Sequence, residues 1–405
     1  MAISQLYPNQ RPTLNLNFAR SKTLDPRITF TRSSTATYVG SDGLIKTAAA
    51  DEARFDHDPE TGKSLGLLIE EAATNSINQS NNFDTTTTLW RFTSPTPNSG
   101  TAPDGTNTAW LLNSGPIEYD NNSSAGSFSV FVKKGTARYI DVAFGTNSTE
   151  PGAIFDLDTE TIVAYRGNNP IGSNGIIQKF SNGWYRLSVT DSGGGGGRAS
   201  IGPSTTYPWN VQLGPWSGTV YIWGAQRETL AFPTSYIPTS GSTVTRAADV
   251  CQITGDNFSS WYNTSQSTWY AEGDQLFINS SGNQEGTDSI FVDRYSNIST
   301  QRWREGSWRG MQGATSRVPV FSTPVTPEGD TVKTVYAIDG TNARMCVEGV
   351  LSTSVSSLGS YPGVTELRLA ESARLVSVDR WNGHISRISY YPYRLTDSQL
   401  QELTS

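Results

Sequence analysis

The chain carries two histidines, His57 and His384, so a Ser-His-Asp arrangement has two possible bases. His57 stands between Asp56 and Asp58 in a stretch that reads as a loop, and His384 stands in Asn382-Gly383-His384-Ile385, at the entry to a strand. No Gly-x-Ser-x-Gly elbow accompanies either one. Paired carboxylates, the acid pair of glycosidases, are the more serious option. Closely alternating acids of the form Glu-x-Asp-x-x-Glu do not occur. The nearest approximations, Asp288 with Asp293 and Glu366 with Glu371, read as solvated positions at strand ends. No catalytic residue is assigned, and the expectation is a protein that is not an enzyme.

Metal and phosphate chemistry find little support. The two cysteines, Cys251 and Cys346, have no Cys or His neighbours at zinc-ligand spacing. They are expected to be reduced core residues, since a bridge would need their Cα atoms within ~7 Å. The run Gly193 to Gly197 is followed by no Gly-Lys-Ser/Thr, so it reads as a loop and not a phosphate cradle. Asp104-Gly105-Thr106-Asn107 could contribute to a Ca²⁺ site, but ordinary turn chemistry explains it equally well. No metal or cofactor is expected.

Aromatic side chains offer the better clue. Sugar rings have apolar faces that stack on indole and phenol rings, while flanking polar groups bind their hydroxyls. Tyr295 to Gly310, YSNISTQRWREGSWRG, sets Trp303 and Trp308 among Arg302, Arg304, Glu305 and Arg309. An arginine there can stack on an indole or pair with a sugar carboxylate. Trp303, Trp308, Arg304 and Arg309 are therefore the candidate glycan-binding residues. The bland alternative packs both indoles inside a sandwich and leaves the arginines in solvent. Trp209 and Trp216, in YPWNVQLGPW, form a less polar cluster of the same kind.

The elements that would position these residues are strands. With 405 residues the chain is long enough for two or three domains. Its 38 glycines, 20 prolines and 11% aromatics suit many short strands joined by tight turns. Eleven tryptophans and 17 tyrosines argue against disorder. The formal charge of −7 is spread evenly, without the basic stripe that nucleic acid demands. No stretch approaches the ~20 apolar residues that span a bilayer, and the start MAISQLYPNQRP lacks the cationic and apolar regions of a secretory signal.

Ile28, Phe30 and Arg32 alternate with Thr29 and Thr31; Thr35 to Val39 follows; Ser41-Asp42-Gly43 turns the chain toward Leu44-Ile45; and Asp58 to Gly62 leads into the apolar run Leu65 to Ile69. Leu14, Leu16 and Phe18 alternate with asparagines, a strand that must pair with another part of the chain or with a neighbour. Further on, Ser127 to Lys133, Tyr139 to Phe144, Gly183 to Val189 and Thr219 to Trp223 keep a period of two. The last is apolar on both faces, so a loop or another chain must cover it. Near the end, Ile385 to Tyr391 reads as a strand stopped by Pro392, and Thr396 with Gln399 has the pattern of a capping box opening a short helix.

The block Leu24 to Asn75, with ITFTRSSTATYVGSDGLI, ARFDHDPETG and LGLLIEEAATN, resembles one found in structural proteins of tailed bacteriophages, cyanophages especially. The string from TAPDGTNTAW through NGWYRLSVT to VYIWGAQRETLAFPTSYIPTSGSTVTRAAD is similar to a jelly-roll module of phage tail proteins, related in shape to carbohydrate-binding modules. The ending GHISRISYYPYRLTDSQLQEL resembles the close of concanavalin A-like or laminin-G-like sandwiches. These resemblances imply an all-β protein: an N-terminal β-region over residues 1–78 that attaches to the particle, a jelly-roll sandwich over 79–247 and a concanavalin A-like sandwich over 248–405. They imply a non-enzymatic virion protein, a tail fibre or spike adhesin that contacts host-surface glycans, joins other virion proteins through its N-terminal region and assembles as a trimer. A capsid decoration protein and a tail-associated polysaccharide depolymerase are the alternatives. On this reading residues 1–20 could be deleted without unfolding the rest.

Overall fold

The computed structural model describes residues 11–120, 126–145, 150–166, 175–191, 198–207, 216–275, 288–292, 298–302, 308–312, 316–317, 330–339, 342–354, 364–370 and 382–405. Among them the chain is all-β apart from three short helices, Phe18–Ser21, Asp256–Ser259 and Asp397–Thr404.

The middle of the chain folds into a sandwich of two six-stranded antiparallel sheets. One runs in the order Gly175–Lys179, Trp184–Asp191, Gly126–Lys134, Thr219–Glu228, Ala109–Asn113, Thr96–Gly100; the other runs Thr161–Arg166, Gly152–Asp156, Tyr139–Ala143, Ala199–Ser204, Ile117–Tyr119, Trp90–Phe92. The period of two decides what lies between them. Phe128, Val130 and Val132 of one strand meet Leu187 and Val189 of its neighbour and Ile140, Val142 and Ile201 of the facing sheet, all at most 1% exposed. The alternate residues were expected to face water, yet Ser127 and Ser129 are also fully buried. A second apolar cluster explains this: Phe131, Trp184, Trp223, Phe180 and Tyr236 lie on the outer face with Ile45 of the hairpin Ala36–Val39/Ile45–Ala48 packed upon them. The doubly apolar strand at Thr219–Glu228 is thus covered by the chain's own hairpin and by its own Tyr236.

The second sandwich is built from both ends of the chain. Its eight-stranded sheet places Val350–Leu351, Asn342–Val347, Val332–Asp339, Gln266–Gln275, Gly383–Tyr391, Ser64–Ile69 and Arg54–His57 in order, with Leu14–Asn17 also paired to Gly383–Tyr391. The facing sheet runs Thr29–Thr31, Val250–Thr254, Glu366–Leu369, Asp288–Val292, Ile298–Arg302, Trp308–Gln312, Ser316–Arg317. Of residues 1–78, read from sequence as a region of their own, those described, 11–78, are instead shared out between the two sheets of the C-terminal sandwich and the hairpin that covers the jelly roll. The jelly roll sits in the chain as an insertion. Where the chain leaves and returns, Ala73–Asn75 pairs antiparallel with Val244–Arg246.

This pairing also answers where the strand Leu14–Asn17 finds its partner. Leu14 lies opposite Tyr390 and Leu16 opposite Ile388. Leu14, Leu16 and Phe18 are at most 3% exposed and share a core with Trp269, Tyr336, Leu367 and Ile385. The partner is the last strand of the same chain, so the expectation that residues 1–20 are dispensable for folding is overturned.

Both cysteines are free and buried, Cys251 on one sheet and Cys346 on the other. The final helix has the anticipated cap: Gln399 N donates to Thr396 Oγ1 at 3.4 Å and Thr396 N donates to Gln399 Oε1 at 2.9 Å. It runs for eight residues, and Leu400 docks fully buried beside Tyr270, Val335 and Leu395. Thr396→Ala should cost about 1 kcal/mol in urea unfolding, the usual value of an N-cap.

Candidate functional site

A cavity of about 490 Å³ lies between the outer face of the jelly roll and the second sandwich. Its floor is the outward face of the jelly-roll sheet. Strand alternation in Trp184–Asp191 sends Tyr185, Leu187 and Val189 inward and leaves Arg186 and Ser188 facing out, beside Phe131 and Ile176. One wall is the hairpin, through Thr37, Tyr38, Val39 and Ile45; a second is formed by Asp56, His57, Leu68 and Glu70. Pro233 to Tyr236 and the pair Asp274 and His384 complete it. Tyr38, Asp58 and Leu65 are half-buried and Gln178 is exposed, so the cavity opens to solvent.

Asp56 and His57 are neighbours in sequence, and in a regular strand they would point to opposite faces. Here both line the cavity, because the ladder with Ser64–Ile69 carries a bulge between them. Across the bulge, Gly66 takes φ +109°, and a Cβ on it would stand 2.3 Å from the Ile385 carbonyl oxygen. Only glycine admits the last strand this closely. His57, read from sequence as a loop residue, is the final residue of the strand Arg54–His57.

His384 is 2% exposed and lies between two carboxylates. Its Nδ1 is 2.7 Å from Asp274 Oδ1 and its Nε2 2.9 Å from Asp56 Oδ2. Asp274 also accepts the His384 backbone N–H, and Asp56 Oδ1 accepts the N–H of Val39. Burial works against the imidazolium, but Asp274 and Asp56 outweigh it and raise its pKa to about 10. The ring is thus a cationic clasp joining the hairpin, the strand Arg54–His57 and the two central strands of the second sandwich.

A second ionic network lies at the neck where the jelly roll is inserted. Arg54 spans Glu70 (2.7 Å) and Asp249 (2.6 Å); Arg32 reaches Asp249 at 3.1 Å and Arg246 reaches Glu70 at 3.3 Å. Ser235, from the cavity rim, gives Glu70 its backbone N–H and its hydroxyl. Burial opposes the Glu70 charge, yet Arg246 and Arg54 hold its carboxyl well below the usual range.

Two polar groups that line the cavity, Arg186 on its floor and His57 on a wall, are not spent in this way. Arg186 is 9% exposed, donates through Nη2 to Ser129 Oγ at 3.0 Å and lies over the Phe131 ring; among the described residues it forms no ion pair and its Nε has no partner. Glu228, the acid that acts most strongly on it, is bound to Thr234 and Gln226 instead. His57 is 5% exposed; its Nδ1 meets the Val39 carbonyl oxygen at 3.1 Å, and among the described residues its Nε2 has no partner.

The four carboxylates lining the cavity are committed. Asp56 and Asp274 hold His384, Glu70 holds arginines, and Asp58 closes its own turn through Thr61. The geometry is that of a binding cavity with aromatic and aliphatic lining and a few convergent polar groups.

Of the residues singled out from sequence, Trp303 and Arg304 lie outside the described residues. Trp308 and Arg309 belong to the strand Trp308–Gln312, opposite Arg302 and Gln301, and their side chains lie outside what is described. Trp209, Asp293, Glu371 and Gly193 to Gly197 also lie outside. Glu366, expected in solvent, is buried and paired with Arg368 at 2.9 Å. Trp216 lies against Gly202. Asp104 caps its own turn by accepting from the N–H and hydroxyl of Thr106. Neither Arg186 nor His57 was chosen from sequence as a binding residue. The signal for Arg186 was faint: a charged residue in a run, Trp184 to Val189, whose outer face also carries a tryptophan.

No model of a known protein family and no curated protein matches the chain. Among solved structures, it is similar to the CBM40 domain of a Ruminococcus gnavus IT-sialidase bound to α2,3-sialyllactose, at 15% identity over 35% of this chain and 84% of that one, with a TM-score of 0.29. Domain 4 of AbnA, a GH43 extracellular arabinanase from Geobacillus stearothermophilus in complex with arabinotriose, matches at 12% identity over 44% of this chain and 83% of that one, with a TM-score of 0.30. Trypanosoma rangeli sialidase matches at 13% over 38% of this chain and 25% of that one, with a TM-score of 0.29. TM-scores this low carry neither the fold nor the ligands of these proteins over to this chain.

Proposed function

We propose that this chain is a non-enzymatic glycan-contacting protein of a phage particle, a tail fibre or spike adhesin. The observation that carries the reading is the solvent-open cavity of about 490 Å³, within the ~300–1,000 Å³ of small-molecule sites, whose rings and free polar groups are arranged to bind and whose carboxylates are already bound to neighbours. A glycosidase would need two acids facing a shared space, one of them able to donate a proton. In the cavity the two facing acids, Asp56 and Asp274, are separated by the His384 ring.

The sequence resemblance to phage structural proteins supports the virion setting. Trp303, Trp308, Arg304 and Arg309 belong to the proposal as a second glycan-contacting surface. Several weak sites acting together on a trimer would give useful avidity. Attachment to other virion proteins cannot use Leu14–Asn17 as a free strand, since that strand is paired within the chain. Incubated with host surface polysaccharide, the full chain should retain it and release no new reducing ends. Steady release of reducing ends would replace this reading with the depolymerase; an even distribution over the phage head in labelled electron micrographs would replace it with a decoration protein.

A further inference from the structure

We propose that the cavity holds a carboxylate-bearing sugar, with Arg186 taking the carboxylate and His57 Nε2 taking a hydroxyl. This rests on the reading of the chain as a glycan-contacting protein and names the class of glycan. A guanidinium that is nine-tenths buried without an ion pair is costly to keep unless something anionic comes to it. The three arginines of the neck network, Arg32, Arg54 and Arg246, each have an acid within 3.3 Å; among the described residues Arg186 has one serine and an aromatic face. Its planar fork suits a carboxylate.

His57 adds the second half of the specification. The Val39 carbonyl oxygen can only accept, so Nδ1 carries the hydrogen, and in that tautomer Nε2 presents a lone pair. That atom calls for a hydroxyl donor. A ligand that brings one carboxylate, several hydroxyls and an apolar ring face to Phe131 and Ile176 is an acidic sugar.

Methyl α-D-glucuronide and methyl α-D-glucoside share a ring and differ at the carboxylate, so they test this directly. Titrated into the full chain by calorimetry or ligand-observed NMR, the glucuronide should bind at least about tenfold more tightly, the effect of one charge-assisted hydrogen bond. Arg186→Gln should erase that preference, and His57→Phe should weaken the glucuronide about fivefold or more while Arg186 still discriminates. Equal binding of both sugars, or binding of neither by the wild-type chain, overturns the proposal without recourse to any variant. So does a folded Arg186→Gln protein that keeps the preference. Retention of host polysaccharide that glucuronide fails to displace leaves the adhesin reading standing and removes this site from it; glucuronide binding without polysaccharide retention removes the adhesin reading and keeps the site.

Discussion

Replacing His384 with glutamine should lower the unfolding free energy by about 3–5 kcal/mol, the usual cost of removing one partner from a buried ion cluster. The variant leaves Asp56 and Asp274 buried near one another with no cation between them. It also removes a pH dependence whose direction follows from the raised pKa. The folded chain keeps the imidazolium proton up to about pH 10, whereas the unfolded chain releases it near the ordinary 6.5. Below pH 6.5 both states are protonated, and the clasp contributes in full. Between 6.5 and 10 the stabilisation falls by about 1.4 kcal/mol per pH unit, and above that it is gone. Glu70 works in the opposite direction. Its folded-state pKa lies well below the ordinary 4.5, so its contribution is present above 4.5 and disappears as the pH falls through the folded value. Stability should therefore peak between about pH 4.5 and 6.5. Urea midpoints measured from pH 6 to 10 should decline for the wild type and lose most of that slope in His384→Gln; equal slopes would show that His384 is not the titrating group.

Deleting residues 1–20 should unfold the C-terminal sandwich. The deletion removes the strand paired with Gly383–Tyr391 in the eight-stranded sheet and takes Leu14, Leu16 and Phe18 out of the core. Each such loss costs roughly 2–5 kcal/mol when a side chain is truncated to alanine, and a domain has only about 5–15 kcal/mol to lose. The single change Leu16→Ala should cost about 2–5 kcal/mol by the same reasoning. Scanning calorimetry and tryptophan fluorescence of the truncated chain provide the check, and a melt matching that of the full chain would contradict the pairing of Leu14–Asn17 with Gly383–Tyr391.

The difference between these expectations and the sequence-based one shows where local pattern stops being informative. Alternation in Leu14 to Phe18 marks a strand with one apolar face, and that much is local. Its partner lies more than 370 residues away, Leu14 opposite Tyr390, and no short-range signal encodes a pairing over that separation. For the same reason residues 1–78 looked like a unit of their own: the turns at Ser41 to Gly43 and Asp58 to Gly62 are legible, but which sheet receives each strand is not.

What the sequence alone determined is the part governed by short-range physics. Period-two runs with Gly and Pro turns specified strands and the all-β class; Thr396 with Gln399 specified a helix start; and two isolated cysteines specified core thiols, found free and buried. The tertiary structure alone decided the cavity. Arg186 occupies an outward position that alternation assigns to water, and it is buried because a hairpin from residues 36–48 folds over that face. His57 and Asp56 reach the same space because a bulge breaks the alternation between them, and His384 becomes a cation because Asp274 and Asp56 arrive from two other strands. Charge and burial at these positions depend on neighbours distant in sequence, so the chemistry of the site exists only once the strands are assembled.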